Sequence, residues 1–160
     1  MSLKTIRNWG IALVLAFVII STILYLGIRE TEEKTHIDGE NPVPTAPIHW
    51  HPELTIIIDN VEQSIPTNIG LETVAHAPVH THETNGTIHL ENNYPSRRDM
   101  RLGYFFELWN KEFSNECIFD YCTDKGTLRM RVNSVENTLF DDYIMADGDI
   151  IVIEYASFKI

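Results

Sequence analysis

Apolar residues recur with the spacing of β-strands in four stretches of the chain. Residues 54–58 and 61–65 flank the turn pair Asp59-Asn60, so together they predict a hairpin. The stretch 128–133, Leu-Arg-Met-Arg-Val-Asn, alternates strictly between apolar and polar residues. A turn at Asp147-Gly148 then precedes a final strand, which we predict at 149–155.

One segment between these strands has the period of a helix instead. Ser96 and Asp99 have the spacing of a capping box, which marks the start of a helix. The apolar stripe that follows consists of Leu102, Phe105, Phe106, Trp109 and Phe113. We expect this aromatic face to pack against the sheet rather than to hold a cofactor or partner.

The order of these elements predicts an α+β domain, in which one amphipathic helix covers a mixed, mostly antiparallel sheet. Two strands, a helix and two further strands, the last of which begins at an Asp-Gly-Asp turn, resemble the β-grasp arrangement of ubiquitin-like and sulfur-carrier-like domains. The chain ends in Ser-Phe-Lys-Ile rather than Gly-Gly. The resemblance therefore does not extend to carrier activity.

A membrane anchor is predicted before the domain. Residues 9–28 carry no charge, and a helix of that length spans about 30 Å of hydrocarbon. We interpret residues 1–28 as an N-terminal transmembrane anchor, with a cleaved signal peptide as the alternative. Lys4 and Arg7 precede the span, which places the N-terminus in the cytoplasm and the rest of this single-pass cell-membrane protein outside.

The part predicted to lie outside is strongly acidic. Residues 29–47 are polar, contain three prolines and predict an extended linker, and residues 48–160 form the extracytoplasmic domain. All 23 acidic residues follow residue 28, and the formal net charge of the chain is −11. Such a surface repels phosphate and attracts cations, which excludes nucleic acid as a partner.

Histidines are concentrated near the middle of the chain. Asn85-Gly86 predicts a two-residue type I′ hairpin, in which His82 faces His89 and His80 faces Glu91. Side chains alternate between the faces of a strand, so these three imidazoles and one carboxylate would project from the same side.

A second histidine pair precedes the first predicted hairpin. His49 and His51 stand two residues apart and share a face if a strand begins there. The candidate metal ligands are therefore His80, His82, His89, His49, His51 and Glu91. Imidazole with carboxylate suits a divalent transition metal, and copper or zinc is the expected ion. The alternatives are a hydrogen-bond network of histidines and carboxylates, or a solvated strand face.

Two covalent modifications are also indicated. Cys117 and Cys122 are the two cysteines of the chain, and outside the membrane they predict a disulfide. A pair of thiols or soft ligands for a thiophilic metal are the alternatives. Asn85 begins an Asn-x-Thr sequence and is a candidate for glycosylation.

Several segments together resemble a known family. The succession HWHPELTI, IPTNIG, HAPVHTHETNGTIHLE and LGYFFELW resembles a largely uncharacterised family of small prokaryotic proteins that are secreted or membrane-tethered. The family pattern runs HxHxxLxI, IPxxIG, LHTHxxxGxIHxE and LGxFFxxW, and Val79 stands here in place of its leucine. The resemblance covers residues 49–155 and implies the fold and the positions of the histidines rather than a chemistry.

These features predict a membrane-anchored domain that binds a divalent transition metal for acquisition, delivery or storage. The alternative is an accessory subunit of a larger membrane complex, such as a metalloenzyme, with other membrane subunits as partners and a structural histidine cluster. A third hypothesis is pH sensing by the clustered imidazoles. The sequence contains no HExxH or GxSxG motif, so enzymatic activity is not indicated.

Overall fold

The computed structural model describes residues 18, 20–21, 41–71 and 76–159. Most of the predicted transmembrane span 9–28 lies outside the described residues, as does the linker up to residue 40. Within the described ranges, no helix has the length and apolar character needed to cross a membrane. Two residues of the predicted linker contact the domain: the side chain of Asn41 donates to the carbonyl of Ile144 at 2.8 Å, and Val43 packs against the core.

The described elements belong to one compact unit, Gly39–Ile160. The strands are β1 (Ile48–Trp50), β2 (Glu53–Ile58), β3 (Val61–Glu62), β4 (Val79–His80), β5 (His89–Asn92), β6 (Cys117–Ile118), β7 (Tyr121–Cys122), β8 (Gly126–Val132), β9 (Val135–Glu136) and β10 (Ile150–Ser157). The α-helices are α1 (Arg97–Met100) and α2 (Leu102–Trp109), and a short 3₁₀ helix covers Phe140–Asp142.

The larger sheet has five strands in the order β3-β2-β10-β8-β9. The last strand of the chain, β10, lies at its centre, parallel to β2 and antiparallel to β8. Ile153 of β10 is paired with Ile56 on one side and Met130 on the other. With its two α-helices, this mixed sheet confirms the predicted α+β class.

The core lies against one face of this sheet, where alternate residues of β2, β8 and β10 are buried. Burying one such aliphatic or aromatic side chain stabilises the fold by about 1.5–3 kcal/mol. The buried strand residues are Leu54, Ile56, Ile58, Leu128, Met130, Val132, Ile151, Ile153 and Tyr155. The predicted alternation of 128–133 is therefore confirmed.

The predicted helix starts as expected but is interrupted. The Ser96 side chain accepts a hydrogen bond from the amide of Asp99 and caps α1. At Arg101 the backbone is extended, with φ −71° and ψ 135°. Arg101 forms a β-bridge with Ile144, and this tertiary pairing, which the helical period does not reveal, separates α1 from α2.

The prediction that the helix continues to Phe113 is wrong. It ends at Trp109, because Asn110 adopts the left-handed conformation that terminates helices. The ring of Phe113 nevertheless stacks on that of Phe106, with the centroids 4.4 Å apart. The apolar stripe thus packs as predicted, although its last member lies on a loop.

A buried carboxylate anchors the start of β10. Asp149 is 6% exposed and accepts hydrogen bonds from the Tyr143 hydroxyl at 2.7 Å, the Ala146 amide at 2.7 Å and the Asn133 side chain at 2.9 Å. Burial and the bond to Asp149 raise the pKa of the Tyr143 hydroxyl. The carbonyl of Asp149 also accepts from the Glu53 amide at 2.8 Å, which joins the start of β10 to the start of β2.

The first predicted hairpin is confirmed with a shorter second strand. Asp59 and Asn60 have φ values of 50° and 65°, as a type I′ turn requires. The second strand ends at Glu62 rather than at residue 65.

The Asp59 carboxylate accepts from the Ser157 amide at 2.7 Å and hydroxyl at 2.8 Å, and these bonds lower the pKa of Asp59.

The smaller sheet carries the histidines and has the order β1-β5-β4. The predicted register around Asn85-Gly86 is wrong, because His89 is paired with His80 rather than with His82. Of the two turn residues only Gly86 has a positive φ, 86°, whereas a type I′ turn requires both. Residues 81–88 therefore form a longer connection.

Tertiary hydrogen bonds hold the two ends of this connection against different parts of the domain. Thr81 is buried, and its hydroxyl donates to the Pro66 carbonyl at 2.8 Å while its amide donates to the Ile69 carbonyl at 3.1 Å. On the other arm, the Gly86 carbonyl accepts from the Leu54 amide at 2.9 Å. Local turn preference is thus outweighed by bonds to two different parts of the domain.

The two cysteines lie opposite each other on the β6–β7 hairpin. Cys117 and Cys122 are joined by a disulfide across this pair of strands. Of the three alternatives left open by the sequence, this structure contains the disulfide.

Candidate metal site

The smaller sheet brings a histidine or a carboxylate to one face from each of its strands. His49 on β1 is paired with Glu91 on β5, and His80 on β4 is paired with His89 on β5. Directly paired residues share a face, and His89 and Glu91 are two residues apart on the same strand. All four side chains therefore project from the same side, as predicted, despite the different register.

Three histidines form what we call the inner triad: His80, His82 and His89. One ring nitrogen from each lies within 4.8 Å of the other two. The Nε2 atoms of His80 and His82 are 3.1 Å apart. Nδ1 of His80 lies 3.1 Å from the Ala77 carbonyl and donates to it, which leaves a lone pair on Nε2 directed toward His82.

This nitrogen spacing fits coordination of one ion. With metal–imidazole bonds of about 2.0–2.1 Å, two adjacent ligands on one ion lie about 2.9–3.4 Å apart. The observed separation of 3.1 Å between the Nε2 atoms of His80 and His82 falls inside that range. The ring of His89 lies edge-on to that of His82, with 4.8 Å between the centroids.

A second group, which we call the outer triad, consists of His49, His51 and His89. Its ligand nitrogens also lie within 4.8 Å of one another. The ring centroids are 4.7 Å apart for His49 and His51, and 4.8 Å apart for His51 and His89. The amide of His51 donates to the Asp147 carboxylate at 3.0 Å, which fixes the chain where it leaves β1.

His89 belongs to both triads, and its own nitrogens are unsatisfied. Both Nδ1 and Nε2 are buried and lack a hydrogen-bond partner among the described residues. The nearby carboxylate oxygens are those of Glu83, 3.5 Å from Nε2, and Glu91, 4.0 Å from Nδ1. An unpaired buried polar group costs about 1–3 kcal/mol, so this arrangement calls for a ligand.

The surroundings of His80 favour the neutral form that binds metal. Burial lowers the pKa of His80, and the neighbouring rings of His82 and His89 lower it further. The hydrogen bond that His80 donates to the Ala77 carbonyl and the charge of Glu91 raise the pKa of His80 but are outweighed. The lowered pKa favours the neutral imidazole of His80, which is the form that a metal ligand takes.

The six predicted ligands have different surroundings. All five histidines reach one of the two triads. Glu91 instead lies beside His49, with 3.0 Å between Oε1 and Nε2. Glu83 was not among the predicted ligands, because in a regular strand it would lie on the opposite face from His82. In the structure Glu83 belongs to a loop instead, and this brings its carboxylate near His89.

Two further residues lie close to the triads without joining them. The ring of His76 is 6.0 Å from that of His80, and His76 belongs to neither triad. Asn85, the glycosylation candidate, is exposed, and its side-chain oxygen accepts from the Thr87 amide at 3.0 Å.

Comparisons of the chain with protein-family models, with curated proteins and with solved structures found no match. The function of the chain is therefore inferred from the geometry of its histidines.

Proposed function

We propose that this protein binds a divalent transition-metal ion, copper or zinc, through its histidine cluster. The observation that carries the proposal is the pair of buried, unpartnered nitrogens on His89. A purely structural hydrogen-bond network would satisfy these atoms, because leaving them unpaired costs free energy. A metal ion satisfies a ring nitrogen by accepting its lone pair.

The donor set indicates the class of ion. Imidazole nitrogens are favoured ligands of zinc and copper, and the carboxylates of Glu83 and Glu91 lie where they can orient the ring of His89. Cys117 and Cys122 are engaged in a disulfide and supply no thiolate. Among divalent ions, Cu²⁺ is expected to bind such a nitrogen site more tightly than Zn²⁺.

The exposure of the ligands favours exchange of the ion. His49 is 64% exposed and His51 is also exposed, whereas His80 is buried. An ion would thus enter from the outer side and be held against the inner one. Exposed ligands on one side and a buried ligand on the other suit acquisition, delivery or storage better than a permanently enclosed structural site.

The setting of the domain is part of the proposal. The uncharged stretch 9–28 supports a single-pass anchor with a cytoplasmic N-terminus, and the disulfide supports an extracytoplasmic, oxidising location. The strand order, with β10 between β2 and β8, supports a fold of β-grasp type. The resemblance to small secreted or tethered prokaryotic proteins agrees with this setting.

One feature supports the alternative role of accessory subunit in a membrane complex. The outer triad supplies three nitrogens, and a zinc or copper ion commonly takes a fourth ligand. Because His49 and His51 are exposed, a neighbouring subunit is able to provide that ligand. Purification in mild detergent distinguishes the two roles, since an accessory subunit would be recovered with its partners.

Metal titration of the full-length protein tests the proposal. We expect stoichiometric binding of Cu²⁺ and Zn²⁺, measured by calorimetry on metal-free protein in mild detergent. The double variant His82→Ala/His89→Ala should lose this binding, because it removes two of the three inner ligands. His76→Ala is the matched control and should bind as the wild type does. Undiminished binding by the double variant would falsify the assignment.

A further inference from the structure

The ring of His89 is oriented with its two nitrogens toward different groups. Nε2 lies near Glu83, which belongs to the same loop as His82. Nδ1 lies near Glu91, whose carboxylate is bound to His49 of the outer triad. Each nitrogen of His89 therefore lies beside a different carboxylate, Glu83 in the loop that carries His82 and Glu91 next to His49.

The two triads lie on opposite sides of β5. His49 and His51 come from β1 and the residue after it, whereas His80 and His82 come from β4 and the loop after it. The sheet order β1-β5-β4 places β5, and with it His89, between them. Neighbouring strands are about 4.7–4.9 Å apart, so the outer strands are separated by roughly twice that distance.

One ion does not account for all five histidines. Their ligand nitrogens form two sets of three. Within each set, every nitrogen lies within 4.8 Å of the other two, and only His89 belongs to both sets. Two ligands of one ion are at most about 4.2 Å apart, because each bond is about 2.0–2.1 Å long. The arrangement thus matches two neighbouring positions for ions better than one.

We propose that the cluster is a dinuclear site in which His89 bridges two divalent ions, one in each triad. The proposal rests on the function proposed above and specifies its stoichiometry. When the first ion binds one nitrogen of His89, the other nitrogen still carries a proton. Binding of the second ion breaks that N–H bond, forms a second metal–nitrogen bond and releases the proton to water, with no change of oxidation state.

Charge around His89 favours this bridged state. The bridging ring becomes an imidazolate with one negative charge, and the carboxylates of Glu83 and Glu91 lie 3.5 and 4.0 Å from its two nitrogens. Three negative charges would then offset much of the charge of two divalent ions. The acidic chain, with a formal net charge of −11, attracts cations to the same surface.

Copper titration followed by electron paramagnetic resonance tests the bridge in the full-length protein. We expect two Cu²⁺ ions per chain, with a signal that grows during the first equivalent and falls during the second, because an imidazolate couples the two unpaired electrons. Two ions whose signals simply add would overturn the bridge. One ion per chain would also overturn it while leaving the proposed function intact, and no bound ion would overturn both.

Paired variants give each half of the site its own readout. His49→Ala/His51→Ala should bind one Cu²⁺ with a full, uncoupled signal, and His80→Ala/His82→Ala should do the same. The control His76→Ala should keep two coupled ions. Circular dichroism confirms that each variant is folded. If either double variant still bound two coupled ions, the assignment of the two triads would be wrong.

Discussion

Replacing Gly86 with alanine tests the contact that determines the register of the histidine sheet. Gly86 has a φ of 86°, and its carbonyl accepts the amide hydrogen of Leu54. A Cβ atom at this position would overlap the Leu54 carbonyl oxygen. The variant Gly86→Ala therefore strains the backbone and forces the loop away from β2.

The expected loss of stability follows from these two effects. An alanine in the left-handed region costs about 1–2 kcal/mol. The overlap with Leu54 displaces the loop and weakens a hydrogen bond worth about 0.5–1.5 kcal/mol, so the total is roughly 1.5–3.5 kcal/mol. A domain with about 5–15 kcal/mol of stability remains folded after such a loss. Copper affinity should also fall, because the displaced loop carries His82 and Glu83.

Urea unfolding followed by tryptophan fluorescence measures this change in the full-length protein. Gly148→Ala is the matched control, since Gly148 has a φ of 71° but no atom lies within 4 Å of the added Cβ. It should lose only the backbone contribution of about 1–2 kcal/mol and keep its copper affinity. Equal destabilisation of the two variants would refute the role assigned to the contact with Leu54.

Three further changes test the stability of the domain, each by urea unfolding. The hydrogen bonds from Ser157 lower the pKa of Asp59 from 3.8, so they stabilise the folded state fully above that pH, and this stabilisation is lost as pH falls through the pKa of Asp59 in the folded state. The variant Asp59→Asn should therefore be less stable than the wild type at pH 7. A difference in stability that did not shrink below pH 3.8 would contradict this. Cys117→Ser/Cys122→Ser opens a short loop and should cost about 2 kcal/mol, whereas an unchanged midpoint would show that the disulfide contributes nothing. Tyr143→Phe removes a bond to a buried carboxylate and should cost about 1.5–3 kcal/mol, and a loss below 0.5 kcal/mol would refute that estimate.

The sequence predicts the strands of the larger sheet well because burial on one face imposes a period of two. Residues 128–133 show this clearly, and β8 buries alternate residues there. The same rule predicts that His80 and His89 share a face. This prediction survives the error in register, because the true pairing differs from the predicted one by an even number of residues.

Features that depend on distant contacts were not predictable in this way. The arms beside Asn85-Gly86 separate because Thr81 bonds to the loop that contains Pro66, and nothing in the local turn sequence indicates that bond. The break at Arg101 similarly arises from pairing with Ile144. The unpartnered nitrogens of His89 are a property of the packed structure, so the sequence indicates the candidate ligands but not their grouping into two triads.

The candidate ligands are spread over β1, β4, β5 and the adjoining loops, so they come together only in the folded domain. An extended polypeptide presents only neighbouring pairs of imidazoles, and such pairs hold ions weakly compared with a completed site. The proposed metal site is thus complete only after the small sheet has assembled. Under the proposed function, the unfolded chain should bind copper or zinc weakly, and metal loading should follow folding.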